Sequence, residues 1–128
     1  MKKYEAMVLS CMDPRFQSKV YKYLKSEKLT GKYSSFTIAG AAISVTHKRF
    51  KKWHSTFWDN LGVSIKLHKI TKLIVINHKD CGAAKITFKG RNFNSKIENR
   101  IHQKSFSDIK KNLKKKFPDL KLKFKILS

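Results

Sequence analysis

Lys72-Leu73-Ile74-Val75-Ile76-Asn77 runs without a break into His78-Lys79-Asp80-Cys81-Gly82. The first six residues include four aliphatic side chains in succession, the pattern of a strand buried on both faces. The next five crowd an imidazole, a carboxylate and a thiol into one loop, and Gly82 opens what reads as a short helix over residues 82–88. A second stretch is built the same way. Residues 4–10 read as another buried strand, and Cys11-Met12-Asp13-Pro14-Arg15 follows. Asp13-Pro14 reads as a helix N-cap with proline at the first helical position. That helix places Phe16, Val20, Tyr23 and Leu24 on one stripe and ends near Thr30-Gly31.

Working outward, residues 33–38 are β-branched and aromatic and read as a further strand. They run into Ala39-Gly40-Ala41-Ala42, a turn of small residues where backbone can approach a ligand closely. Residues 48–67 have helical period, with Phe50, Trp53, Phe57, Leu61 and Ile65 inward, Trp58 and His54 off that stripe, and Gly62 as a weak point. Ser95-Lys96-Ile97-Glu98 reads as a capping box. It opens a helix with Ile97, Ile101, Ile109, Leu113 and Phe117 inward, stopped by Pro118. Residues 121–127 alternate lysine with Leu, Phe and Ile, the period of an edge strand with one wet face. Strands alternating with helices predict an α/β fold, a small parallel sheet of about four strands flanked by helices. At 128 residues the chain is expected to be one domain over residues 1–128.

No apolar run approaches the roughly 20 residues needed to span a bilayer. The start of the chain shows neither a cleavage site nor a hydrophobic leader, so a cytoplasmic protein without a membrane role is expected. Cys11 and Cys81 are the two cysteines. In a reducing compartment, and each beside other potential ligands, they point to a metal rather than to a disulfide. The net charge of +22 is extreme, yet only Arg15, Arg49, Arg91 and Arg100 among 30 basic residues are arginine. Nucleic-acid interfaces favour arginine forks, so a solvated lysine surface is preferred over a polyanion site. The field of that charge still draws anions toward the protein.

If the two buried strands lie side by side and parallel, Cys11, His78 and Cys81 converge at their carboxyl ends. Two thiolates and an imidazole with a fourth position open form a catalytic zinc set. Asp13 and Arg15 then stand beside it, where an aspartate paired with arginine stays ionised and can accept a hydrogen bond from a water on the metal. A plainer role for Asp13 is the helix cap, with Arg15 a surface ion pair. Asp80 is expected to steady the loop or the His78 ring, and Gly82 to offer amides to an anion. His47, His54, His68 and His102 carry no motif spacing and are read as ordinary surface residues.

C-x-D-x-R followed by H-x-x-C-G resembles the signature of the β-class carbonic anhydrases, over roughly residues 4–88. The resemblance implies strand order 2-1-3-4, in which strands 1 and 3 are neighbours at a topological switch point. It implies one Zn2+ per chain on Cys11, His78 and Cys81, and a lyase reaction, the reversible hydration of CO2 to bicarbonate by a zinc-bound hydroxide. It gives Asp13 and Arg15 a paired catalytic role, with Asp13 able to swing onto the zinc in a closed resting form. It also implies a homodimer or dimer-based oligomer. Ile38 stands where the family pattern has asparagine, and Pro14 where serine is common. The first strand starts too near Met1 for the family's N-terminal helical arm, and neither Gln17 nor Gln103 matches its substrate-binding glutamine. Two rival readings remain at this point. One is a zinc hydrolase of carbonyl sulfide or carbon disulfide. The other is a catalytically silent zinc module with a basic nucleic-acid-binding surface.

Overall fold

The computed structural model describes residues 3–128. Its sheet contains β1 (Ala6–Ser10), β2 (Tyr33–Thr37), β3 (Lys72–His78) and β4 (Lys121–Leu127) in the order β2-β1-β3-β4. All three pairings are parallel. The helices are α1 (Gln17–Ser26), α2 (Lys51–His68), α3 (Gly82–Thr87) and α4 (Ser95–Lys116). The expected class and strand order are both present.

Strand alternation divides the core into two layers. Met7 and Leu9 of β1, with Leu73 and Val75 of β3, face Phe57, Leu61, Ile109 and Leu113 from α2 and α4. Ala6, Val8, Ile74 and Ile76 face the other way, onto Leu24 of α1 and Leu29 just beyond it. On β4, Leu122, Phe124 and Ile126 join the first layer, and the Phe106 ring stacks on Phe124 at 4.3 Å. The β4 lysines point to the opposite face. There Lys123 pairs with Glu27, and Lys125 lies over the Tyr23 ring. Among the described residues no helix is long and apolar enough to cross a membrane.

Three details differ from expectation. Trp58 is buried against Phe57, with Lys116 of α4 over its ring, whereas Trp53 is 39% exposed and stacks on Phe50. Both indoles flank the inward stripe. The neighbour opposite decides between them, since α4 closes over one and leaves the other in the first turn uncovered. Gly62 does not interrupt α2, and its missing side chain leaves room for Phe117, whose ring would lie 3.4 Å from a Cβ there. Finally, Asn94 rather than Ser95 caps α4, its side chain accepting from the Ile97 amide at 2.9 Å. With that donor satisfied and the helix begun one residue earlier than the capping-box reading requires, Glu98 is free to turn inward.

Parallel register fixes where the loops emerge. Ser10 lies opposite both Thr37 and Ile76, so residue 11, the turn at 39–42 and residue 78 all leave the sheet at one edge.

Candidate metal centre

Cys11, His78 and Cys81 are all buried, and their ligating atoms lie within 4.8 Å of one another. Each comes from a different local device. Cys11 follows the last residue of β1, His78 is the last residue of β3, and Cys81 stands immediately before α3. Both cysteines are free thiols.

The surroundings orient each donor. Gly40, at φ +81°, turns its amide to donate to Cys11 Sγ at 3.2 Å. A side chain is not tolerated there, because a Cβ would sit 2.5 Å from that of Ala83. Cys81 precedes the first turn of α3, and the backbone of Ala83 and Ala84 there favours its thiolate, though without outweighing the effects that push its pKa up. His78 is clamped twice. Its ring stacks on Phe16, with centroids 4.0 Å apart, and its Nδ1 lies 2.8 Å from the Lys79 carbonyl. A carbonyl only accepts, so Nδ1 donates and Nε2 of the neutral ring carries the lone pair. That Nε2 is buried without a partner in the protein. A buried imidazole nitrogen is costly to leave bare. Its lone pair facing two sulfurs is the arrangement a tetrahedral cation with soft donors would complete.

The thiols are coupled. Cys11 is pushed well down, first by the Cys81 thiol, then by the nearby His78 ring and the Gly40 amide, which together outweigh burial. Cys81 is pushed up by the Cys11 sulfur beside it and by burial. Alone, the pair releases one proton readily and resists giving up the second, and a dication at their centre reverses that resistance. For His78, burial pushes the pKa down, but the Cys11 sulfur and the Lys79 carbonyl outweigh it and the net direction is up.

Asp13 and Arg15 stand at the open side of this cluster. Asp13 caps the short 3-10 turn Pro14–Phe16 by accepting from the Arg15 amide, so the capping role is real. The same carboxylate also takes the Arg15 guanidinium, Nη2 to Oδ2 at 2.7 Å. Those hydrogen bonds hold Asp13 down to about 2. Its Oδ2 lies 3.7 Å from His78 Nε2, next to the place where the three donors point. Arg15 reaches across to the other loop as well, donating to the Asp80 carboxylate at 2.8 Å and the Asp80 carbonyl at 2.9 Å. Asp80 sits at φ +58° with an exposed side chain; it serves Arg15, while the His78 ring is held by Lys79. Gln17 straps the first loop by donating to the carbonyls of Cys11 and Asp13. Gly82 opens α3 facing open space, with nothing within 4 Å of where a Cβ would be.

The sequence profile of a family described as "Putative carbonic anhydrase" matches residues 1–122. This chain belongs to that family. An uncharacterized protein of Rickettsia bellii is 26% identical over 117 residues, which cover 91% of this chain and 71% of that protein. An uncharacterized protein of Rickettsia conorii is likewise 26% identical over 117 residues; the chain spans only 63% of its length.

Within this carbonic anhydrase family member, sequence reasoning missed one group behind the metal cluster. His102, read as a surface residue, is 2% exposed, and Glu98 is buried beside it. Both lie on the inward face of α4. A periodicity reading counts apolar side chains, so polar residues on that face leave no signal. A clue existed in the i, i+4 spacing of a carboxylate and an imidazole, but the capping-box reading had already used Glu98.

Proposed function

We propose that this chain is a β-class carbonic anhydrase, binding one Zn2+ on Cys11, His78 and Cys81 and interconverting CO2 and bicarbonate. The observation that carries the reading is the bare, buried Nε2 of His78. It faces two sulfurs, with an arginine-held carboxylate 3.7 Å to its side. When bound there, zinc supplies an activated water nucleophile at neutral pH by lowering the pKa of water to about 7.

The chain's own residues do the rest. Arg15 keeps Asp13 ionised and turned to one side of the donors. So held, Asp13 Oδ2 accepts a hydrogen bond from the nucleophile and aims its remaining lone pair at the carbon of CO2. Addition of water across one C=O of CO2 yields bicarbonate and one proton, which passes to solvent buffer. Asp13 accepts hydrogen bonds but donates none, so it selects a protonated oxygen at the attacking position. Bicarbonate is an anion, and the surrounding lysine field favours its approach in the reverse direction. Asp13 would join the metal in a closed form only after Arg15 released its carboxylate.

The test is stopped-flow CO2 hydration on protein of verified zinc content, beside Cys81→Ser. Wild type is expected to carry one zinc per chain and turn over CO2. Cys81→Ser is expected to lose most of its metal and fall to the uncatalysed rate. Equal rates in the two proteins would refute the reading. Turnover of carbonyl sulfide or carbon disulfide without CO2 hydration would keep the metal and change the substrate.

A further inference from the structure

Behind the metal cluster lies a closed set of buried hydrogen bonds. Glu98 Oε2 accepts from the Cys81 amide at 3.1 Å and from His102 Nε2 at 2.9 Å. His102 Nδ1 faces the Asn77 amide nitrogen at 2.8 Å. The same nitrogen reaches Ser105 Oγ at 3.3 Å, and Ser105 in turn donates to the His102 carbonyl. Asn77 Oδ1 accepts from the Ala42 amide at 3.1 Å.

Only one assignment satisfies every atom. The Ala42 N–H requires the Asn77 oxygen, so the Asn77 NH2 faces His102 and Ser105. His102 Nδ1 therefore accepts, Nε2 donates, and the chain of donors ends on the Glu98 carboxylate. Its endpoints matter more than its length. One is the backbone of Cys81. Another is Asn77, the residue before His78. The third is Ala42, in the turn whose Gly40 amide holds the Cys11 sulfur. All three donor-bearing segments are thus tied to two side chains of one helix.

Packing alone does not call for this. Phe106, Ile109 and Leu113 already bind α4 to the sheet. A buried carboxylate and imidazole cost free energy that an apolar pair would not. What they add is direction, since hydrogen bonds fix angles where apolar contacts do not.

We propose that Glu98 and His102 are positioning residues for the metal centre, holding the Cys81 loop and the Asn77-His78 strand end at the separation the ion needs. The proposal rests on the metal reading above. Its test is zinc affinity by competition with a chromophoric chelator on the full chain, together with the thiolate-to-metal absorption of the Co2+-substituted protein.

Glu98→Ala is expected to weaken zinc by about 10- to 100-fold and to move the Co2+ spectrum. Glu98→Gln is expected to restore both, because Oε2 alone makes the two contacts and a glutamine oxygen can accept both. Ile109→Val, a pure packing change in the same helix, is expected to lower the melting temperature while leaving affinity and spectrum unchanged. If Glu98→Ala does not fold, His102→Gln carries the test, with an expected loss of about threefold or more. Wild-type affinity and spectrum in Glu98→Ala and His102→Gln would overturn the proposal while leaving the metal reading intact. So would equal effects from Ile109→Val. A wild-type protein that takes up no zinc would overturn the metal reading itself, and this proposal with it.

Discussion

Asp13 and Arg15 make a pair whose two halves have separable effects. Asp13 is lowered to about 2 in the folded chain, from an ordinary value near 3.8, mainly by the Arg15 guanidinium. A depressed carboxylate stabilises the fold above its unfolded pKa, and that stabilisation is lost as pH falls through the folded value. The melting temperature of Asp13→Asn is therefore expected to fall less steeply than wild type between about pH 4 and pH 2, measured by circular dichroism. Arg15→Lys keeps the charge but removes the fork that grips Asp13 and Asp80 together. CO2 hydration is expected to drop about 10- to 100-fold with zinc content unchanged. Loss of zinc in parallel with activity would instead make Arg15 a structural clamp on the loops. At this scale the grouping of Cys11, His78 and Cys81 was legible in the sequence, because each comes at or after the end of a strand whose aliphatic run is unmistakable. Glu98 and His102 were not, because a polar residue on a helix's inner face carries no periodic mark and declares itself only through partners distant in sequence.

The elements were legible wherever a single rule governed them. The strands showed through aliphatic runs and through the lysine alternation of β4, and Asp13-Pro14 showed where the first helix begins. Choices between neighbours were not, such as Trp53 against Trp58 or Ser95 against Asn94, since these depend on what lies opposite after folding. The turn after β2 is the sharpest case of local chemistry serving the centre. Ala39-Gly40-Ala41-Ala42 announced a close backbone approach, and Gly40 makes it, at φ +81° with its amide on Cys11. Gly40→Ala combines a strained backbone with an unavoidable clash against Ala83. It is expected to cost about 2–4 kcal/mol in urea denaturation. The same substitution should also withdraw the amide from Cys11, so the pH at which the metal-free thiol becomes reactive toward an alkylating agent should move upward.

At the scale of the whole molecule, charge is the dominant fact. A net +22 on 128 residues sets lysines against one another across the surface, and six acids besides Asp13 and Glu98 offer few partners. Self-repulsion of this kind is screened by salt. The melting temperature is expected to rise as sodium chloride goes from about 10 mM to about 300 mM, where the Debye length shrinks from about 30 Å to below 8 Å. A flat profile would mean that the lysines are too well solvated to oppose compaction.

Arg15 holds Asp80 across 65 positions of chain. Such a grip cannot form while β1 and β3 are apart, since each loop supplies only half of the geometry. The centre can therefore close only once β1 and β3 have met, like a clasp that shuts only when both sides of a garment have been drawn together. An ion arriving early would meet scattered thiols, and one arriving late would meet a finished cradle and lock it. If zinc is held there as proposed, removing it should leave the sheet standing and loosen only its carboxyl rim. In hydrogen exchange, residues 11–15 and 79–82 would then open first, while β1 and β3 stay protected.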